Sequence, residues 1–308
     1  MKKTLIALAA VAATSAALAQ SSVTLYGVAD ASLSKVTGTS ATFSSAGKMN
    51  NVTSRWGVRG TEDLGGGLKA GFNFEQGLSL NDGSLSRAGA GEFGRAAFMS
   101  LSGGFGEVSL GRRYNPAYYT QAAWELTGTA NYSAVDNQFS RAFGGNRESS
   151  MIMYTTPSLS GLTVQFGHVL KGNNPATDKA TNDLSLRYAN GPLVVGFNYN
   201  KQDNGDKNKH LGASYNFGTF KLAGALIDPE GPAKGFSLGG TAYLGPVALT
   251  LDAARDTNAK DTDYVLEAKY PLSKRTTAYA AYLADGKKKA GGLGADKTGF
   301  GLGVRHNF

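Results

Sequence analysis

From about residue 22 onward, apolar and polar residues take turns along the chain. Val195, Phe197 and Tyr199 fall on one face, and Gly196, Asn198 and Asn200 on the other. Leu162, Val164 and Phe166 alternate with Thr163, Gln165 and Gly167, and Leu184, Leu186 and Tyr188 with Ser185 and Arg187. Val247, Leu249 and Leu251 alternate with Ala248, Thr250 and Asp252. A period of two marks β-strands with one apolar and one polar face. Sixteen such runs are delimited, beginning at Val23, Ser54, Leu68, Phe93, Glu107, Glu148, Leu162, Asn182, Leu193, Lys209, Phe220, Gly235, Val247, Thr262, Thr276 and Lys297.

Short turn clusters such as Asn190-Gly191-Pro192, Asn216-Phe217-Gly218 and Leu244-Gly245-Pro246 alternate with longer polar connections such as 203–208, 256–261 and 285–296. Gly191, Gly218 and Gly245 recur every 27 residues, which gives a meander of hairpins. The polar faces are rich in Gly, Ser, Thr, Asn and Arg, unlike the Lys/Glu coat of a soluble sandwich. Aromatics stand near strand ends on the apolar face: Tyr188, Tyr199, Phe220, Phe236, Tyr270 and Tyr279. That distribution fits the interfacial girdles of a membrane barrel, the one strand structure that satisfies every backbone group in lipid. The expected fold is therefore all-β, a sixteen-stranded antiparallel transmembrane barrel wide enough to hold water. One connection breaks the rhythm. From Tyr114 to Asn146 no clear alternation appears, and so long an irregular segment is usually functional or mobile. In a wide barrel it can fold inward and narrow the pore; the alternative is an external flap.

Composition agrees with this picture and narrows it. Cysteine is absent, so disulfides, thiolate nucleophiles and Cys-ligated zinc are excluded. No run of about 18 apolar residues appears, which argues against a helical membrane protein. Residues 1–19 have Lys2 and Lys3 before a short apolar stretch and end in Ala17-Leu18-Ala19. They are expected to be a cleaved signal peptide, leaving 20–308 as the barrel domain outside the cytoplasm. Net charge is +8, from 31 Lys+Arg against 23 Asp+Glu. The basic residues are scattered over hairpins with no nucleic-acid-binding motif.

Several blocks carry a resemblance. Ser22-Val23-Thr24-Leu25-Tyr26-Gly27-Val28-Ala29-Asp30 resembles the opening strand of the trimeric general porins of β-proteobacteria. The run from Ser54 to Ala70, with Arg55-Trp56-Gly57-Val58-Arg59-Gly60 at its core, resembles their second hairpin. Phe93-Gly94-Arg95, Leu110-Gly111-Arg112-Arg113 and the terminal Gly303-Val304-Arg305-His306-Asn307-Phe308 resemble further family blocks. The match runs in order over the whole chain after the signal. It implies a homotrimer of barrels among the lipid and lipopolysaccharide of the outer membrane, each narrowed by its third extracellular loop, here 114–146. Wall arginines would oppose that loop: Arg55, Arg95 and Arg147, with Arg59 on the face of Arg55 and Arg141 as a substitute for Arg147. Glu125 and Asp136 are the candidate loop carboxylates, and Arg112 resembles a subunit-contact arginine. The family's enterobacterial loop signature Pro-Glu-Phe-Gly-Gly is only half matched by Ala142-Phe143-Gly144-Gly145.

The function so implied is passive diffusion of small hydrophilic solutes, preferring anions, with no cofactor and no catalytic cycle. Lys69, Lys221, Lys269 and Arg187 also fall on the expected lumen face. Two other readings stay open: a substrate-specific channel for phosphate or organic acids, and a surface adhesin. Enzyme chemistry finds little support. Gly235-Phe236-Ser237-Leu238-Gly239 matches a nucleophile-elbow pattern but lies inside an alternating strand, not at a strand–turn–helix junction. His168, His210 and His306 show no metal-ligand spacing. The acidic stretch 256–263 lacks an EF-hand pattern, so calcium is not implied there.

Overall fold

The computed structural model describes residues 21–85, 91–139, 145–173, 179–203, 205, 207–229, 231–287 and 297–308. The expected signal peptide, Arg141 and most of the half-matched loop signature lie outside the described residues. The chain forms β1 (Ser22–Val36), β2 (Thr42–Ser44), β3 (Arg55–Gly65), β4 (Leu68–Gly77), β5 (Ala96–Gly103) and β6 (Gly106–Tyr114). Two helices follow, α1 (Pro116–Trp124) and α2 (Ala134–Phe139). Then come β7 (Arg147–Thr155), β8 (Leu162–Val169), β9 (Thr181–Asn190), β10 (Leu193–Gln202), β11 (Lys207–Asn216) and β12 (Phe220–Asp228). The last five are β13 (Gly235–Leu244), β14 (Val247–Asp256), β15 (Asp261–Pro271), β16 (Thr276–Ala284) and β17 (Thr298–Asn307). Sixteen long strands make the wall, and β2 is a three-residue piece. Every pairing is antiparallel, and from β3 to β17 each strand pairs with the next.

The sheet closes through β1. Its first half pairs with β3, from Ser22↔Thr61 to Val28↔Arg55. From Val28 onward its other edge pairs with β17, from Val28↔Asn307 to Val36↔Gly299. Phe308 N donates to Gly27 O at 3.1 Å and Gly27 N to Phe308 O at 3.0 Å, which seals the seam. Because β3 begins at mid-height on β1, residues 45–54 leave the wall, and only β2 covers the upper part of β1 there.

Polarity is inverted relative to a soluble protein. Leu25, Leu33, Leu226, Leu238 and Leu251 are exposed, whereas Asp30, Asn198, Asn200, Thr250, Asp252 and Glu267 are buried. The apolar residues face outward and the polar ones inward on alternate positions, as a lipid-facing barrel requires. At one end the hairpins turn tightly, and Gly191, Gly218 and Gly245 all have positive φ (55°, 92° and 61°). That conformation disfavours any residue with a Cβ, which explains the 27-residue recurrence.

Three expectations are corrected. The strand placed at Phe93 begins at Ala96, and Phe93 instead packs against Trp56 and Phe74. Residues 114–146 are not wholly irregular but contain α1 and α2. Tyr279 is not a girdle residue: it is buried inside the barrel, donating to Asp30 Oδ1 at 2.5 Å, and Tyr282 takes the outward place.

Leu251 lies mid-strand on the outer face, 58% exposed, paired with Gly240 and Leu266. Leu251→Arg is expected to cost about 2–4 kcal/mol of folding into a bilayer, and Leu251→Phe little, read by urea titration of vesicle-folded protein.

Candidate functional site

Residues 115–139 are held against the polar face of the wall. Asn115 caps α1, accepting from Tyr118 N at 2.9 Å, and Pro116 opens the helix where no backbone donor is needed. Asp183 of β9 accepts from Ala117 N at 3.2 Å, tying the helix start to the wall. At the other end of α1, Trp124 lies against the inner faces of Gly196 and Gly212. A Cβ on Gly212 would stand 2.2 Å from the indole, so only glycine leaves this slot. Thr120 Oγ1 donates to Ser185 Oγ at 2.7 Å. Beyond the helix, Tyr132 donates to Glu267 Oε1 at 2.5 Å, and Lys269 Nζ donates to Thr127 O at 3.0 Å. Asn137 of α2 donates to Asp263 Oδ2 at 2.8 Å. Trp124, Tyr132 and Phe139 are fully buried in this arrangement. The described residues of the segment therefore pack against β9 to β11 and against β14 and β15.

On the facing wall three arginines meet. Arg55 opens β3, Arg95 stands one residue before β5, and Arg147 opens β7. Like charges this close need a brace, and Glu75 of β4 supplies it. Its carboxylate accepts from Arg95 Nε at 2.7 Å, lies 3.3 Å from Arg55 Nε, and accepts from Tyr26 at 3.1 Å. Hydrogen bonds to charged groups contribute about 1.5–3 kcal/mol. Arg55 Nη1 also donates to Thr53 O at 3.0 Å, and Arg147 Nε to Arg95 O at 2.8 Å. The Arg147 guanidinium lies 3.7 Å over the Tyr114 ring, whose stacked neighbour Tyr118 is 3.7 Å away at 6°. This cation–π ladder ties the third arginine to the inserted segment.

Arg55, Arg95 and Arg147 line one polar cavity of about 160 Å³ with Tyr114, Tyr118, Thr129, Asn131, Asp136 and Asn146. Asp136, at the start of α2, is the carboxylate of the inserted segment in that lining. It accepts from Gln121 Nε2 at 2.8 Å. Burial pushes its carboxyl up to about 6, and the Glu125 charge adds to this; the Gln121 hydrogen bond and the Lys48 charge oppose it. Burial also pushes the Tyr118 and Tyr132 phenols above their ordinary range, so both stay neutral donors at pH 7.

Of the eight residues singled out from sequence, the seven described ones thus separate. Arg55, Arg95, Arg147 and Asp136 come together. Arg59 does share the inner face with Arg55, but its guanidinium sits 5.0 Å over the Tyr26 ring, outside the cavity. Glu125 is turned into its own segment, accepting from Thr127 Oγ1 (2.8 Å), Thr129 N (2.7 Å) and Ser133 Oγ (2.8 Å). It shapes the turn between the helices and does not line the cavity. Arg112 lies outward with Leu110 and Met99, donating to Gly94 O and Ser149 Oγ, both at 2.7 Å. Sequence reasoning missed Glu75, Tyr114 and Tyr118. Glu75 was visible as a polar position in the alternation of β4, and Asn115-Pro116 as a helix start.

The sites set aside on sequence grounds stay apart from this cluster. Ser237 lies mid-strand in β13, paired with Ala225 and Ala254. His168, His210 and His306 sit on three different strands, and no group of three metal-ligating side chains occurs among the described residues. Asp256 caps its own turn, accepting from Asn258 N and Ala259 N.

Comparison with known proteins gives one consistent result. A family model described as Gram-negative porin matches residues 5–308. Outer membrane porin protein 32 of Delftia acidovorans is 34% identical, with all of both chains covered. An outer membrane porin protein of Bordetella pertussis is 32% identical over all of both chains. Among solved structures, an anion-selective porin from Comamonas acidovorans matches with a TM-score of 0.77 and 30% identity, covering 94% of this chain and 100% of that one.

Proposed function

This chain belongs to the Gram-negative porin family, and from that membership we propose how its lumen discriminates among solutes. It is an outer-membrane porin and not an enzyme: small hydrophilic solutes cross it by diffusion, with no catalytic cycle. The constriction lies between Arg55, Arg95 and Arg147 on the wall and Asp136 on the inserted segment, and it favours anions. The observation that carries this reading is the single cavity these groups share. A narrow cleft walled by low-dielectric protein focuses the field of three guanidinium groups and raises the local anion concentration. Arginine keeps its charge at any working pH and presents a fixed fork of donors to a passing anion. Glu75 keeps the cluster assembled while neutralising only part of it. Export follows recognition of residues 1–19 as a signal peptide.

The working unit is a homotrimer among outer-membrane lipid and lipopolysaccharide, with Arg112 at the subunit contact. What supports this is an arginine on the outward face, which lipid alone would penalise. Arg112→Ala is expected to lower the temperature at which the assembly dissociates on a gel, with the barrel itself still folded.

Under a KCl gradient across a planar bilayer, the reversal potential is expected to favour chloride. Arg55→Ala, Arg95→Ala and Arg147→Ala are each expected to reduce the permeability ratio by roughly fivefold, about 1 kcal/mol per charge, and together to abolish it. A cation-favouring parent, or a ratio indifferent to all three changes, contradicts the arginine mechanism.

Protonation supplies a second test. Asp136 faces Lys48, Glu125 and Gln121 as well as the arginines. It is charged above pH 6 and neutral below, so anion preference is expected to rise as pH falls through about 6. Asp136→Asn should show the low-pH selectivity at pH 7.5 and lose the pH dependence, read from reversal potentials between pH 4.5 and 7.5.

A further inference from the structure

Residues 45–54 carry the chain from β2 inward to β3. This segment has no regular secondary structure, so its buried backbone and side chains must be pinned individually. Asn50 Nδ2 donates to Asp30 Oδ1 at 2.8 Å and Val52 N to Asp30 Oδ2 at 2.9 Å. Met49 is buried against Gly301, where a Cβ would stand 2.9 Å from the Met49 Cβ. From the other side Asn131 Nδ2 donates to Gly47 O at 3.0 Å, and Asn131 N to Asn51 O at 3.2 Å. The backbone on both sides of Lys48 is thus clamped between wall and inserted segment.

Lys48 lines a polar cavity of about 340 Å³ with Ala46, Gly47, Thr53, Asn131, Asp136 and Asn146. Thr53, Asn131, Asp136 and Asn146 also line the arginine cavity, so the two are continuous. Asp136, Asp285 and Asp263 act on Lys48 electrostatically. All three carboxylates already have partners: Asp136 takes Gln121, Asp263 takes Asn137 and Gly286 N, and Asp285 takes Asn137. Lys48 forms no ion pair within 4.0 Å among the described residues. Asp263 and Asp285 lie at the end of β15 and β16 that bears the longer connections, the extracellular end by barrel convention. β2 pairs with Ser32–Ser34, toward that end of β1, and Arg55 with Val28, so Lys48, between them in the chain, stands outside the arginines along the path.

We propose that Lys48 is a specificity-determining residue of the channel: an outer capture point for small inorganic and carboxylate anions, from which they pass to Arg55, Arg95 and Arg147. The proposal rests on the reading of the arginine cluster as an anion-preferring constriction. An ammonium is a compact, hydrated charge on a flexible stem, suited to brief capture; the arginine forks beyond it are fixed. Conduction needs several weak stations rather than one tight one. Asp136, shared by both cavities, keeps each station weak.

The absence of cysteine in this chain provides the test. Lys48→Cys is folded, inserted, and then modified in the open channel with a thiol reagent that adds either an aminoethyl or a neutral methyl group. At 0.1 M KCl the unmodified variant is expected to show a chloride-over-potassium permeability ratio two- to fivefold below the parent. The aminoethyl adduct should restore the ratio and the methyl adduct should not. The deficit should shrink at 1 M KCl, where the screening length falls from about 10 Å to about 3 Å. Chloride entry from the long-loop side should fall more than entry from the opposite side. A parental ratio in Lys48→Cys, or equal effects of the two adducts, overturns the proposal, since labelling follows folding. A parent with no anion preference, and indifferent to the arginine changes, defeats the underlying reading instead.

Discussion

Inside a bilayer there is no water to bond a free strand edge, and each unsatisfied backbone group costs several kcal/mol. That constraint shapes the rest of the molecule. It requires β1 to be shared between β3 and β17, and it brings Gly27 and Phe308 together at the seam. Sixteen strands closed in this way enclose a space too wide for wall side chains to fill. The inner face must then be polar, because water touches it, and something from the chain itself must narrow it. Residues 117–137 are bonded to Asp183, Ser185, Asp263 and Glu267 on that face.

The electrostatics of the lumen follow from where each charge is held. On the wall, Arg55, Arg95 and Arg147 would repel one another if left alone. One carboxylate, Glu75, and one aromatic face, Tyr114, hold them without cancelling them. The inserted segment also carries carboxylates, but they are used unequally. Glu125 is consumed by three donors of its own turn, whereas Asp136 remains on the cavity surface. Three guanidinium groups on one side of the cavity and the Asp136 carboxylate, raised by burial to about 6, on the other make its field depend on pH. Its strength depends on the protonation of one residue.

Much of this was legible in the sequence, and the reasons are specific. The 27-residue recurrence of Gly191, Gly218 and Gly245 survives because each tight turn needs a backbone that other residues resist. Strand starts fell within three residues of their observed places, because a one-residue slip would send every lumen residue into lipid. Tyr279 was assigned to the wrong face because β16 reads Thr-Thr-Ala-Tyr-Ala-Ala-Tyr, where small residues give no contrast between inside and outside. The partnership of Glu75 with Arg55 and Arg95 depends on the register across β3, β4 and β5, which alternation alone does not fix. Lys48 was invisible because its segment follows neither period; its position is set by bonds to Asp30 and Asn131, far away in sequence.

The seat of Trp124 has a consequence for how such a passage changes over generations. The inserted segment is held at this point by what the wall lacks, since Gly212 contributes only backbone beneath the indole. The seat of the inserted segment is therefore written partly in one wall codon far from it in the sequence. A single base change there, adding one methyl group, would set a Cβ 2.2 Å from the tryptophan ring. The seat of the inserted segment can thus change without any alteration of the charged residues around the cavity.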